Sequence, residues 1–331
     1  MNREKILVTG GAGYIGSHVV RDLYRKGYYP IVYDNLCTGN RENVLHGEIV
    51  IGNINESERV EDTIYKCGIK SVIHFAASIV VEESVSKPLE YYENNSVNTF
   101  RLIQTCIKCG IENFVFSSTA AVYGIPETIP VAETAPMVPI NPYGKSKVVT
   151  EMLLKDVSAA YPGFNYIALR YFNVAGADSE ARIGQNYKKP THLMTLALRA
   201  ALGEYPRLKI FGTDYDTPDG TAVRDYIHID DLSNAHLLAL DYLKAEKKSR
   251  VFNCGYGTGR SVAEVVAAAK EVTGIDFETV PTDRRAGDPP QLVADSRLIQ
   301  EELGWKPQFN DIHYIIKTAW EWEKKLKHPR G

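Results

Sequence analysis

Short apolar runs alternate with amphipathic stretches along the first half of the chain. The run at 6–8 predicts a buried strand, and the pattern becomes helical from residue 14 to about 26. The same reasoning predicts strands at 30–33, 49–51, 71–77, 114–119 and 166–170, and helices at 56–66, from 88 towards 107, and at 143–161. Strands that alternate with helices indicate an α/β fold with a Rossmann-like, doubly wound parallel sheet.

The pattern changes beyond residue 173, where loops lengthen and helices appear without flanking strands. Helices are predicted at 192–202, 261–273, 296–303 and 311–326, with an isolated strand at 251–254 that could return to the first sheet. We therefore expect a nucleotide-binding domain at 1–176 and a smaller mixed α/β domain at 177–331. A ligand would lie in the cleft between them.

Three glycines join the first strand to the first helix. Gly10, Gly11 and Gly13 leave room for a diphosphate to approach the helix N-terminus, whose free N–H groups favour an anion. The next strand leads into Asp34, about twenty residues further on, where a carboxylate would accept a ribose 2′-hydroxyl and repel a 2′-phosphate. The combination predicts a dinucleotide site that prefers NAD to NADP.

Composition narrows the range of partners. The chain has 331 residues, a formal net charge of −3 and 24% charged residues, so no electrostatic feature favours nucleic acid or a membrane surface. With no long apolar run and no signal-peptide core, we expect a cytoplasmic protein. Cys106 and Cys109 lack a second pair to complete a zinc site, so reduced thiols and no metal are expected. His74, within an apolar run, is interpreted as a core histidine.

The candidate chemistry lies after the fifth strand. Tyr143 and Lys147 share one helix face, and Thr119 ends the preceding strand, at the sheet edge where open α/β folds bind ligands. A phenol has a pKa of about 10, so it is a poor base at neutral pH. A nearby ammonium and the positive nicotinamide ring would together lower that pKa. The spacing alone is common, and its position in the pattern is what makes it informative.

Ten segments of the chain resemble the extended short-chain dehydrogenases/reductases, and among them most closely the UDP-glucose 4-epimerase family. The markers are 9–18 (TGGAGYIGSH), 34–36 (DNL), 74–76 (HFA), 87–92 (KPLEYY), 117–124 (SSTAAVYG), 141–147 (NPYGKSK), 170–173 (RYFN), 219–221 (DGT), 224–228 (RDYIH) and 284–288 (RRAGD). The last four groups distinguish this family from generic reductases. The resemblance covers nearly the whole chain.

The resemblance implies an NAD-dependent, reversible 4-epimerisation of UDP-glucose and UDP-galactose through a transient 4-keto sugar. Tyr143 would take the proton from the sugar 4′-hydroxyl, Lys147 would lower the pKa of the tyrosine, and Thr119 would polarise the 4′-oxygen. It also implies a homodimer formed by the helices beginning at Pro88 and Tyr143.

The site residues implied by the resemblance fall into two groups. The cofactor group is Gly10, Gly13, Tyr14, Ile15, Gly16, Asp34, Asn35, Asn53, Ile54, Phe75, Ala76, Ala77, Asn94, Ser117, Tyr143, Lys147 and Tyr171. The substrate group is Thr119, Phe172, Asn173, His192, Leu193, Phe211, Arg224, Tyr226, Arg285, Asp288 and Leu292.

Four positions depart from the commonest family pattern. Asn53 stands where many members have Asp, Ile79 where some have a Lys on the cofactor diphosphate, and His192 where others have Asn. Leu292 stands where some relatives have a larger tyrosine beside the sugar 2-substituent. The smaller leucine predicts that UDP-N-acetylglucosamine is also epimerised.

Three alternatives remain to be weighed. A 4,6-dehydratase would need an acid and a base after Thr119, where this chain has Ala120 and Ala121, and it is set aside. A UDP-pentose epimerase would use the same catalytic residues and stays open. A non-catalytic NAD-binding sensor has no need of the tyrosine, lysine and threonine combination.

Overall fold

The computed structural model describes residues 3–285 and 288–327, so two residues of the 284–288 marker lie outside it. The strands are β1 (Lys5–Thr9), β2 (Tyr29–Asp34), β3 (Glu48–Ile51), β4 (Ser71–His74), β5 (Asn113–Thr119), β6 (Asn165–Tyr171), β7 (Asn173–Ala175), β8 (Leu208–Phe211), β9 (Val223–His228), β10 (Arg250–Cys254), β11 (Gly259–Ser261), β12 (Thr279–Thr282) and β13 (Gln291–Leu292).

Helices cover both faces of the main sheet and close the second half of the chain. They are α1 (Tyr14–Arg25), α2 (Ser57–Cys67), α3 (Val81–Ser86), α4 (Pro88–Tyr92), α5 (Asn98–Lys108), α6 (Pro142–Ala160), α7 (Leu193–Ala201), α8 (Ile229–Glu246), α9 (Val262–Thr273), α10 (Arg297–Leu303) and α11 (Ile312–Lys327). A π-helical turn, Glu93–Val97, joins α4 to α5. In the described part of the chain, no helix is both long and apolar enough to cross a lipid bilayer.

The main sheet has seven strands in the order β10-β6-β5-β4-β1-β2-β3, and every neighbouring pair is parallel. The predicted Rossmann-like, doubly wound sheet is therefore confirmed. The strand order reverses between β1 and β4, which opens a crevice at the carboxyl ends of these strands. The strand near residue 251 lies at the sheet edge, paired with β6.

The inner strands of the main sheet are buried on both faces, which explains why their sequences are almost continuously apolar, whereas the edge strand β3 is only partly buried. On β1, Ile6 and Val8 face a core completed by α1 and α8, while Leu7 faces a second core with α2, α5 and α6. His74 is buried with both ring nitrogens occupied, 2.6 Å from Thr9 Oγ1 and 2.9 Å from Thr99 Oγ1. The interpretation of His74 as a core histidine is confirmed.

The second half of the chain adds two small sheets and a helical core. β9 pairs with β7, β11 and β13, and β8 pairs with β12. Helices α7, α9 and α11 enclose a separate apolar cluster. In this half, the sequence interpretation predicted the edge strand β10 but missed α8 and the short strands of the two small sheets. Residues 229–254, which contain α8 and β10, pack with the main sheet.

Gly16 allows α1 to begin directly against the glycine turn. A Cβ at this position would lie 2.3 Å from the Gly10 carbonyl oxygen and 2.8 Å from Gly11 Cα, both backbone atoms that cannot move away cheaply. Gly163, on an exposed turn, has no atom within 4 Å of its would-be Cβ.

We expect Gly16→Ala to lower the free energy of unfolding by about 1–3 kcal/mol, because the added methyl group overpacks the turn. Gly163→Ala is the matched control and should change it by less than about 0.5 kcal/mol. Chemical denaturation of both variants measures the difference. Equal stabilities would contradict the requirement for glycine at residue 16.

Candidate functional site

A cavity of about 570 Å³ opens at the crevice where the strand order reverses. Every residue that the sequence assigned to the cofactor lines this cavity, from the glycine turn and Asp34 to Tyr143, Lys147 and Tyr171. Of the predicted substrate residues, only His192 belongs to its lining. The structure therefore brings the cofactor group together at one place and distributes most of the substrate group elsewhere.

The N-terminus of α1 opens into this cavity without a competing anion. Its N-cap, Gly13, is extended and has no side chain to satisfy the first N–H groups, and the first turn contains no acidic residue. Free N–H groups and the helix dipole together favour a negatively charged group here. The residues present therefore fit the diphosphate of a dinucleotide.

Asp34 is held at the end of β2 by the backbone. Its Oδ2 accepts a hydrogen bond of 3.0 Å from Ala12 N, and Oδ1 accepts one of 2.8 Å from Leu36 N. Burial raises the pKa of the carboxyl, and the two backbone bonds oppose that rise. Each carboxylate oxygen retains a further lone pair, so the side chain can still accept a ribose hydroxyl.

Helix α6 is positioned by its first turn. The Asn141 side chain accepts a 2.8 Å hydrogen bond from Gly144 N, and Pro142 occupies the first helical position. A Cβ on Gly144 would lie 2.6 Å from the Ala121 carbonyl oxygen, so glycine permits the close approach of α6 to the turn after β5. This approach brings Tyr143 beside Thr119.

Lys147 is a buried cation below Tyr143 on the same face of α6. It is 3% exposed, and its Nζ donates a 2.9 Å hydrogen bond to the Ser117 carbonyl and lies 4.9 Å from the Phe116 ring centroid. Burial lowers the pKa of Lys147 to about 7, against the attraction of Glu151. The lysine is therefore poised between its two protonation states near neutral pH.

Burial also acts on the pKa of Tyr143. It raises the pKa of the phenol, and hydrogen bonding with Thr119 opposes the rise. The sequence-based expectation of a lowered pKa includes the positive nicotinamide ring, and it stays a prediction.

Thr119 is the last residue of β5, and Ser117, two residues before it, lines the cavity. The Thr119 hydroxyl accepts a 3.1 Å hydrogen bond from Ala121 N, which caps the short turn after the strand. The Ser117 hydroxyl is hydrogen-bonded to the Tyr171 hydroxyl from β6. The residues on either side of Ser118 thus both carry hydroxyls: that of Ser117 lies in the cavity lining, and that of Thr119 is hydrogen-bonded with Tyr143.

His192 lies where the cavity meets the second half of the chain. Its Nδ1 is 3.2 Å from Gln185 Nε2, and its ring stacks with that of Tyr187 at a centroid distance of 6.1 Å. Burial lowers the pKa of His192 to about 4, and the charge of Arg285 acts in the same direction. The ring is neutral at physiological pH and presents a hydrogen-bonding edge without a charge.

The predicted anchor residues of the second half form two ionic clusters. Arg224 pairs with Asp288 and donates a 2.7 Å hydrogen bond to the Pro289 carbonyl. The Arg285 guanidinium lies 4.0 Å from the centroid of the Phe211 ring, with its Nε 3.3 Å from Glu82 Oε1. Glu82 belongs to α3, so this contact spans the cleft between the two halves.

The remaining predicted substrate residues are apolar neighbours or strand partners. Leu292 packs in one buried cluster with Phe172, Ala120 and Val131, directly behind the turn that follows Thr119. In β7 and β9, Asn173 is in register with Tyr226. Leu193 is the first residue of α7 and packs against the core of the second half.

Several cavity residues were missed by the sequence interpretation. All but Leu36 lie outside the family markers: Tyr33, Leu36, Cys37, Thr38, Gly39, Asn40, Gly52, Ser78, Val80, Glu83, Asn186, Tyr187, Lys188, Lys189 and Thr191. The available signal was Lys188 and Lys189, adjacent exposed cations that suit a cavity for a diphosphate. Ile79, which stands where some relatives have a Lys on the cofactor diphosphate, also lines the cavity.

Comparison with known proteins identifies the family. The sequence model of the NAD dependent epimerase/dehydratase family matches residues 6–255, which is more than half of the chain. The chain belongs to this family. The UDP-glucose 4-epimerase of Azospirillum brasilense is 50% identical over 328 residues, which cover 99% of this chain and 94% of that protein.

Solved structures agree with this assignment. UDP-glucose 4-epimerase from Brucella ovis in complex with NAD is similar with a TM-score of 0.93 and 44% identity, covering 96% of this chain and 98% of that one. The UDP-Glc/GlcNAc 4-epimerase from Campylobacter jejuni is similar with a TM-score of 0.85 and 47% identity, covering 97% and 99%. The predicted resemblance, the enzyme class and the NAD cofactor are confirmed.

Proposed function

We propose that this chain catalyses the reversible 4-epimerisation of UDP-glucose and UDP-galactose with NAD. The observation that carries the proposal is that Tyr143 and Lys147 line the same cavity as the glycine turn, with Thr119 hydrogen-bonded to Tyr143. The names of the relatives support the substrate class.

Tyr143 moves the proton in this reaction. As phenolate it accepts the proton of the sugar 4′-hydroxyl, and it returns that proton after the 4-keto sugar has turned to present its other face. Thr119 donates a hydrogen bond to the 4′-oxygen, and Lys147 adds positive charge below the phenolate. Bound NAD supplies the reversible hydride acceptor and the further cation that the tyrosine pKa requires.

Turning of the keto sugar requires that the nucleotide be held firmly and the sugar loosely. We assign firm binding to Arg224, Arg285 and Phe211 in the segment 177–331, and cofactor binding to 1–176. Support comes from the two arginines, which present cations suited to a diphosphate. The apolar Leu292 and Phe172 cluster near Thr119 offers the sugar few directional contacts.

Tyr143→Phe tests the proton-transfer role. Turnover of UDP-galactose should fall by about 10²–10⁴-fold, because the variant has no group to take the proton, while UDP and NAD binding persist. The assay follows UDP-glucose formation without added cofactor. Tyr161→Phe, at an exposed position after α6, is the control and should retain activity. Undiminished turnover of Tyr143→Phe, or a parent protein without epimerase activity, would overturn the proposal.

A second candidate substrate is UDP-N-acetylglucosamine. Leu292 is a smaller side chain than tyrosine, and the Campylobacter jejuni relative is named as a UDP-Glc/GlcNAc 4-epimerase. We therefore propose that the sugar site has room for the 2-acetamido group.

Leu292→Tyr tests this extension. We expect the parent protein to epimerise both UDP-sugars, and the variant to lose N-acetylhexosamine turnover selectively, because the larger ring occupies the acetamido space. Parallel assays with UDP-galactose and UDP-N-acetylgalactosamine measure the ratio. The idea fails if the parent has no N-acetyl turnover, or if the ratio is unchanged by the substitution.

We also propose a cytoplasmic homodimer formed through α5 and α6. Exposed apolar side chains on these helices support this, notably Phe100 (48% exposed) and Met152 (57% exposed). Large exposed apolar residues on adjacent helices are typical of an interface.

Replacing Phe100 and Met152 together by Glu should convert the dimer to monomers, because four carboxylates would be buried in the paired interface. Light scattering after gel filtration should change from twice the chain mass of 37.0 kDa to a single chain mass. Tyr65→Glu, on the exposed face of α2, is the control and should remain dimeric. A monomeric parent protein would refute the interface.

A further inference from the structure

A buried ionic network lies one turn beyond Lys147. Glu151 is 4% exposed, and it follows Lys147 by four residues on the same face of α6. Its carboxylate accepts a hydrogen bond from the Ser118 hydroxyl and forms a bidentate pair with Arg170 of β6, with Nε–Oε1 and Nη2–Oε2 distances of 3.0 and 2.6 Å.

Arg170 is fully committed to this network. Besides Glu151, its Nη1 donates 2.9 Å and 3.1 Å hydrogen bonds to the Tyr123 hydroxyl and the Glu133 carbonyl, and its Nη2 contacts Met137 Sδ at 3.0 Å. All five guanidinium N–H groups therefore have an acceptor. The arginine cannot pair with a different anion without leaving buried donors unpaired, so the network has a single arrangement.

The network is attached to the catalytic strand and turn. Ser118 lies between Ser117, whose carbonyl accepts from Lys147, and Thr119, the proposed substrate contact. Tyr123 follows the turn after Thr119 and passes the network on to Asn253 of β10 through a 2.6 Å hydrogen bond. Glu151 thus connects α6 to the end of β5 between two functional residues.

The surroundings of Lys147 offer little other negative charge. Its own helix contributes Glu151, β4 contributes His74 and β5 the Ser117 carbonyl. Tyr143 and Tyr171 line the same cavity, and Arg170 of β6 lies on the Glu151 carboxylate. Burial keeps the pKa of His74 at about 3, so that ring is neutral, and burial raises the pKa of Tyr171. Among these groups, Glu151 supplies the negative charge.

We propose that Glu151 is a positioning residue of the catalytic pair: it anchors the end of β5 through Ser118 and Arg170, and it keeps Lys147 charged. The inference rests on the function proposed for Tyr143 and Lys147. Without Glu151, the buried guanidinium of Arg170 would lose its carboxylate partner, and buried Lys147 would lose the negative charge one helical turn away. The lysine would then release its proton at lower pH, and the positive charge below Tyr143 would be lost.

The direct test is titration of Lys147 by NMR with lysine labelled at Cε, with the signal assigned by its loss in Lys147→Arg. In Glu151→Gln, the midpoint should fall by roughly one pH unit relative to the parent, because the favourable charge is removed. Glu151→Asp keeps the charge at a shorter reach and should give an intermediate midpoint. If Glu151→Gln does not fold, the test is the comparison of the other two proteins: the Lys147 midpoint of the parent should lie above that of Glu151→Asp.

The matched control is Glu323→Gln. Glu323 is 3% exposed and pairs with Arg199 at 3.0 Å in the second half of the chain, so its loss produces the same kind of buried defect away from the site. This variant should lose stability without moving the Lys147 midpoint. If Glu151 had a purely structural role, Glu151→Gln would likewise lose stability without a change in the Lys147 midpoint. An unchanged midpoint in Glu151→Gln would therefore overturn the inference.

The pH profile of turnover gives the second measurement. The alkaline side of the kcat profile with UDP-galactose should move to lower pH in Glu151→Gln and remain in place in Glu323→Gln. An unmoved profile in Glu151→Gln would contradict the inference. Because the NMR titration needs no substrate, a parent protein without epimerase activity would overturn the proposed function and leave the titration result interpretable.

Discussion

The site depends on the burial of one ammonium group. Lys147 Nζ donates a hydrogen bond to the Ser117 carbonyl near the end of β5. The first turn of its helix, α6, packs against the turn that follows β5. Burial of a charge is costly unless hydrogen bonds and counter-charges compensate it. Here the compensation comes from a backbone carbonyl, an aromatic face and a carboxylate one turn away. A fixed lysine in turn fixes the helix face that presents Tyr143.

Burial acts on the tyrosine of the site as well. It raises the pKa of Tyr143, and hydrogen bonding with Thr119 opposes the rise. In the proposed reaction, the cationic cofactor would offset this cost, because desolvation penalises the phenolate and a nearby positive charge favours it.

The sequence was sufficient for the main sheet and for the cofactor side of the cavity. Strands buried on both faces produce continuous apolar runs, and a glycine turn followed by Asp34 has a local spacing that needs no tertiary information. Helix α8 was missed because Asp230, Asp231 and Asn234 near its start are polar residues typical of loops. Its apolar face becomes recognisable only against the sheet.

The second half was harder to predict for a physical reason. Its strands are two to six residues long and pair with segments far away in the chain, as β13 does with β9, so no periodicity develops. The contact of Arg285 with Glu82 and the Arg224 pair with Asp288 likewise depend on tertiary structure. Family markers identified the residues without indicating which of them lie together.

The distribution of charge across the cleft suits the proposed turning of the keto sugar. Arg224 and Arg285 lie on β9 and in the segment after β12, whereas the wall behind Thr119 is built from Leu292, Phe172 and Ala120. A diphosphate held by cations has a defined position, because ionic hydrogen bonds are directional. An apolar wall imposes no preferred orientation on hydroxyl groups, so in the proposed reaction both faces of the sugar would meet the same tyrosine at similar free energy. Directional polar groups behind Thr119 would favour one face and oppose the return of hydride to the other.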